Sequence, residues 1–184
     1  MILSECIIGV EIKQLDENDD DKLRNSQLGQ GKVVGGSGLR VRLRRQIASG
    51  YGQLKRYARE GAPSLLVIYN NSGLLNFIDS FSITTAMFGS FGVRFGIDKS
   101  GTVDVTGQGF IGNRKLTRNE CRKLSAIAVL KESASSISLD VYHNPFADIP
   151  LEPCLIRALA DAQFIHPNPH SGQFVELEPA EIQL

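Results

Sequence analysis

Two pairs of polar residues on otherwise apolar segments carry the first chemical signal in this chain. Glu11 and Lys13 stand two apart in Ile7-Ile8-Gly9-Val10-Glu11-Ile12-Lys13-Gln14-Leu15, and the short β-branched run predicts a buried strand over residues 2–15. Alternate side chains of a strand share a face, so Glu11 and Lys13 project together while Val10 and Ile12 are expected to enter a core. Gln53 and Tyr57 stand four apart in a segment expected to be helical from about Leu39 to Glu60, a spacing that makes them neighbours. A carboxylate beside an ammonium, and an amide beside a phenol, have the donors and acceptors to orient water, hold a cation or touch phosphate. Taken separately, the first is a same-face ion pair worth roughly 0–1 kcal/mol, and the second is an exposed amide beside a half-buried aromatic. Chemistry requires the two elements to lie together.

The elements that must position them are legible in the pattern. Apolar residues at 39, 43, 47, 51, 54 and 58 form one core-facing helical stripe. Beside it runs a second stripe of Gln46, Ser49, Gly50, Gln53 and Tyr57, where Gly50 leaves room for the neighbouring sheet or a bound strand of DNA at a cost of about 1 kcal/mol relative to Ala. Ser37 is the expected N-cap. Ser64 to Tyr69 is a continuous apolar run suited to a strand buried on both faces. Strand, helix and strand then predict a crossover unit with a parallel sheet.

Glu11-Ile12-Lys13 on its strand, Gln53-x-x-x-Tyr57 on the helix and Ser64-Leu65-Leu66-Val67-Ile68 after it resemble, in this order, the PD-(D/E)XK nuclease superfamily, in particular its RecB-like branch. The resemblance spans about residues 1–70. It implies an α/β fold with a mixed sheet and a restriction-endonuclease-like core. It also implies hydrolysis of DNA phosphodiester bonds with Mg2+, or Mn2+, bound by Glu11, the main-chain carbonyl of Ile12 and an Asp on the preceding strand. Lys13 would orient the attacking water, and Gln53 and Tyr57 would hold substrate backbone or metal-bound water. That Asp has no counterpart here: only ten residues precede Glu11, and their one acid, Glu5, falls on the same strand and face. An N-terminally truncated core, a degenerate member, or an acid supplied from Asp79, Asp104 or Asp140 are the expectations this leaves.

The charge distribution fits a nucleic-acid partner locally rather than globally. Lys+Arg 20 balances Asp+Glu 20, yet residues 38–60 carry Arg40, Arg42, Arg44, Arg45, Lys55, Arg56 and Arg59 against Glu60 alone, and these side chains are candidates to grip phosphates. Residues 16–21 hold five acids. With the glycines that follow they predict a flexible loop over 16–37, which opens a further reading: an interaction domain whose basic helix serves its own acidic loop. A third reading keeps the nuclease fold without its chemistry, binding nucleic acid or a protein partner.

The remaining sequence bounds the class. Its 184 residues and 42% apolar content predict one domain with a real core. Cys6, Cys121 and Cys154 are too few for a disulfide framework, and no apolar run reaches membrane-spanning length, so a cytoplasmic protein with no membrane partner is expected. Gly35-Gly36-Ser37-Gly38 lacks the Gly-Lys-Ser/Thr ending of a phosphate loop, and prolines between His166 and His170 exclude a helical zinc pair. Val93–Ile97 with Thr102–Thr106, and Leu124–Lys131 with Ile137–Tyr142, read as β-hairpins around a second basic stretch at 113–123. Asn144-Pro145-Phe146-Ala147 is similar to a stretch in uncharacterised bacterial nuclease-like proteins. Residues 151–164 read as a short helix and 171–184 as a tail. A sheet beginning at the Glu11 strand would carry an exposed edge, so self-association, or a partner chain supplying strands, is expected.

Overall fold

The computed structural model describes residues 7–33, 38–71, 78–112, 114–132, 135–166 and 175–178. Among these residues eight strands and three α-helices follow in the order β1 (Gly9–Asp16), α1 (Asp19–Gly29), α2 (Leu39–Arg59), β2 (Ser64–Asn71), α3 (Ser80–Phe88), β3 (Ser90–Ile97), β4 (Val103–Ile111), β5 (Ala126–Glu132), β6 (Ile137–His143), β7 (Ala162–Ile165) and β8 (Val175–Glu176). Six strands form one mixed sheet in the order β1-β2-β5-β6-β7-β8, and β3-β4 form a separate antiparallel hairpin. β1 and β2 are parallel and in register from Gly9 with Ser64 to Asp16 with Asn71. The expected strand-helix-strand crossover is present, with β1 at the sheet's edge.

Both faces of the central strands are covered. Leu66, Ile68, Ile127, Val129 and Tyr142 pack with Leu43, Ile47 and Leu54 of α2 and with Ile83 and Met87 of α3. On the opposite face Leu65, Val67, Ala126, Ala128 and Val141 meet Leu151 and Ile156. Leu151 precedes, and Ile156 ends, a single 3-10 turn at Pro153–Ile156. The helix expected over 151–164 is therefore this turn followed by β7. The second hairpin exists as β5-β6 but is part of the main sheet, because β5 also pairs in parallel with β2. Asn144 fixes the turn after β6: its Nδ2 donates to the Leu124 carbonyl (2.7 Å) and its Oδ1 accepts from the Phe146 amide (3.0 Å). A structural role thus accounts for the Asn-Pro-Phe-Ala stretch.

Two expectations are corrected. The 16–37 segment is not a loop throughout, because α1 begins with a reciprocal cap between Asn18 and Asp21. Asp21 is only 2% exposed and accepts from Arg42 of α2 and from Arg24 (3.2 Å). An acid with two guanidinium partners can be buried where an unpaired one cannot. The facing of β1 is also the reverse of the expectation. Gly9 and Leu15 are buried beneath α2 with Glu11 and Lys13 between them on the same face, while Val10 and Ile12 are 48% and 65% exposed. Ser37, Glu5, Cys6 and His170 lie outside the described residues.

Removing the Asp21 carboxylate takes the ion-pair partner from Arg42 and Arg24 and opens the cap. Asp21→Ala is expected to cost about 2–4 kcal/mol, read from the chemical denaturation midpoint. His143 supplies a pH test: burial pushes its pKa below the ordinary 6.5. Its Nε2 lies 2.9 Å from Gln163 Oε1, and the Gln163 amide nitrogen donates to the Pro153 carbonyl. Because the unfolded chain binds the proton more readily, the His143 contribution is full above about pH 6.5 and is lost as pH falls below it. A stability profile that declines as pH falls below about 6.5, and is flattened in His143→Gln, is the expected result.

Candidate functional site

Helix α2 is held against β1 at two levels. The ring of Tyr57 lies on Gly9, where any Cβ would collide with the ring and with the Tyr57 Cβ. Toward the other end Gln46 Nε2 reaches the Gln14 carbonyl at 3.5 Å, and Arg42 donates to the Asp16 carbonyl. Eleven helical residues from Tyr57 back to Gln46 span about 16.5 Å, the same length as five strand residues from Gly9 to Gln14. The helix therefore runs antiparallel to β1, residue matched to residue. On this scale Gln53, about 6 Å before Tyr57, stands level with Glu11, about 6.6 Å past Gly9. Gly50 faces β2 instead, its missing Cβ occupied by Leu66. The sheet uses the room that Gly50 leaves.

The structure thus brings Glu11, Lys13, Gln53 and Tyr57 onto one rim. Lys13 Nζ is 3.0 Å from Glu11 Oε1, with the two side chains 19% and 25% exposed. Gln53 is exposed above them. The Arg56 guanidinium donates to the Tyr57 hydroxyl (2.8 Å) and lies 4.7 Å from the ring centroid. That hydroxyl holds Arg56 above its ordinary range, with smaller contributions from the Glu60 carboxylate and, last, the Glu11 carboxylate. Gly9 is the site residue that the sequence reading missed. A glycine two before an E-x-K glutamate, on the same strand face, is the signal that a bulky helical residue closes over the strand.

The basic residues divide. Arg42 is turned inward to Asp21 and the Asp16 carbonyl, and Arg44 donates to the Thr85 carbonyl of α3 (3.0 Å). Arg40 stacks over Phe81 at 5.1 Å. Arg45 and Lys55 are exposed, but Lys55 is two residues from both Gln53 and Tyr57, about 200° around the helix and so off the Glu11 rim. Arg56 is the helical cation that joins Lys13 there.

A resident divalent cation does not fit the described residues. Glu11 brings one carboxylate, already paired with Lys13. Gly9 donates its amide toward β2 at Pro63, and alternation sends the Ile12 carbonyl the other way, to the open edge. The carbonyl stands ready, but no second carboxylate joins it. Asp79 caps α3 at the Ser82 amide (2.7 Å), Asp140 pairs with Lys131 on β6, three strands or about 14 Å across the sheet, and Asp104 is on the separate hairpin. Among the described residues no cluster of three or more His, Cys, Asp and Glu side chains is placed to hold a metal.

No family model matches this chain, and neither a curated protein nor a solved structure matches it. Among the described residues no helix is long and apolar enough to cross a membrane.

The Gly9–Tyr57 contact sets the height of the helix over Glu11. Gly9→Ala is expected to destabilise by about 1–3 kcal/mol through overpacking. Combined with Tyr57→Ala it should cost clearly less than the sum of the two single changes, a coupling that a double-mutant denaturation series measures.

Proposed function

We propose that this chain binds the phosphate backbone of nucleic acid through the rim between β1 and α2, using a strand and helix of PD-(D/E)XK character without a resident metal. The observation that carries the reading is the convergence of Lys13 and Arg56 beside the single carboxylate of Glu11. Glu60 also stands beside Arg56, so the positive excess comes from the exposed Lys55 and Arg59, while an amide donor, Gln53, and a phenol, Tyr57, flank the Lys13–Glu11 pair, all suited to phosphate oxygens. Arg40, Arg45, Lys55 and Arg59 extend the positive potential along the exposed side of α2, with Glu60 the one acid among them. Such contacts position a duplex or single strand without reading its sequence. Glu11 tunes the site, since its pairing with Lys13 fixes the ammonium in place and lowers the local charge.

A second reading has its own observation. Arg42 is held by Asp21, so part of the basic helix does serve the chain's acidic segment. That pairing accounts for Arg42 alone and leaves the exposed cations available.

Fluorescence anisotropy with a labelled DNA duplex tests the proposal. With about three or four phosphates neutralised, affinity is expected to fall roughly 40- to 150-fold between about 50 and 200 mM salt, and Lys13→Gln and Arg56→Gln should each reduce the salt slope by about one. No binding at low salt would overturn the reading. Mg2+- or Mn2+-dependent cleavage that disappears in both Glu11→Ala and Lys13→Ala would replace it with a metal-dependent nuclease.

A further inference from the structure

A second concentration of cations lies away from the β1–α2 rim, where the β3-β4 hairpin joins the body of the protein. Two adjoining cavities open there, of about 450 and 230 Å3, sharing Phe110 and Arg114 as common wall. The larger is bordered by Arg94 and has a floor of bare backbone. Gly92 pairs with Gly109 and Arg94 with Gly107 across the hairpin, so three of these four positions carry no side chain. The smaller is walled by Phe88, Phe110 and Phe146 and rimmed by Arg118. No acidic residue lines either cavity, so three arginines stand together in a chain whose formal net charge is zero.

The arginines are differently prepared. Arg114 is anchored by donating to the Phe110 carbonyl, which fixes its guanidinium at the junction of the cavities and leaves further N–H groups free to point outward. Arg94 and Arg118 are exposed and make no side-chain hydrogen bond or ion pair among the described residues. Planar guanidinium forks suit phosphate oxygens, and ring edges and faces suit a flat heterocycle. The volume of the larger cavity is that of ordinary small-ligand sites.

We propose that this cleft binds a nucleotide unit, its phosphate held by Arg94, Arg114 and Arg118 over the glycine floor and its base lodged in the smaller cavity against the half-buried Phe146. The shared chemistry is a phosphate joined to a planar base, whether in a free mononucleotide or in one unit of a single strand. The site is independent of the β1–α2 rim, being built on other elements, and its failure is separable from failure of the duplex binding proposed above.

Gly107 gives a clean probe. An added Cβ there would meet no atom within 4 Å, so Gly107→Val fills the cleft without crowding the fold and suits a strand position. The experiment titrates fluorescently labelled adenosine monophosphate and, in a second arm, a labelled oligothymidylate single strand, with inorganic phosphate as competitor. Saturable binding of either probe is expected, weakened about tenfold or more by Gly107→Val and about three- to tenfold by each of Arg94→Gln and Arg118→Gln. Binding in the first arm assigns a free nucleotide, and binding in the second alone that Gly107→Val weakens assigns a strand. Binding of neither probe, affinity unaltered by Gly107→Val and Arg94→Gln, or displacement by inorganic phosphate as readily as by the mononucleotide would overturn the proposal.

Discussion

The close approach of α2 to β1 and β2 is the contact on which the arrangement of the molecule depends. It is made possible by two missing side chains, at Gly9 beneath Tyr57 and at Gly50 beneath Leu66. With the helix at that height, Leu43, Ile47 and Leu54 reach the central strands and are fully buried, which supplies the apolar burial that drives the packing. The same approach sets the polar rim. Glu11 and Lys13 face a helix rather than open solvent, and so acquire Tyr57 and Gln53 as neighbours. A larger residue at Gly9 would separate the elements whose proximity makes the rim a site.

The electrostatics of α2 follow from what surrounds each of its turns. Near its N-terminal end, Arg42 and Arg44 satisfy a buried carboxylate and main-chain carbonyls, so their charge stabilises structure. Toward its C-terminal end, Lys55, Arg56 and Arg59 have no such internal acceptors and remain exposed. One helix therefore divides its cations: Arg42 and Arg44 near the start fasten α1 and α3, and the exposed ones, Arg40 and Arg45 among them, shape the surface potential. The acidic segment at 16–21 belongs to the first group, since Asp21 is a fastener and its neighbours Asp19 and Asp20 occupy the first turn of α1, where negative charge complements the helix dipole.

Periodicity made the backbone of this fold legible in the sequence, and parity obscured part of the site. The stripe from Leu39 to Leu54 and the run Ser64–Tyr69 predict α2 and β2 well because burial on a regular period leaves few alternatives. Reading β1 by its apolar residues put Val10 and Ile12 inside. The structure follows Gly9 and Leu15, which share parity with Glu11 and Lys13, because the helix can close only over the glycine. At a sheet edge, where one face is weakly covered, apolar alternation loses its power to fix the facing. Helix α1 was hidden for a different reason: a run of acids reads as solvated, and burial of Asp21 depends on Arg42, 21 residues away. The local signal that was available is Asn18-x-x-Asp21, a reciprocal cap in a form less familiar than Ser/Thr with Glu.

The edge position of β1 also constrains how its carboxylate can act. On the inner side, the residues level with Glu11 and Lys13 are Leu66 and Ile68, both fully buried, so no ligand or ion can enter from β2. Above lies α2, closed at Tyr57. The open directions are the outer edge, where alternation turns the Ile12 carbonyl, and the solvent-facing gap beside Gln53. Any group that neutralises or completes Glu11 must arrive by one of these two routes, and the cations guarding them are Lys13 and Arg56. An anionic backbone is favoured along that approach, whereas a free divalent cation must displace Lys13 from the one carboxylate available. The pairing of Glu11 with Lys13, with no second carboxylate beside it among the described residues, makes this rim a poor independent metal centre.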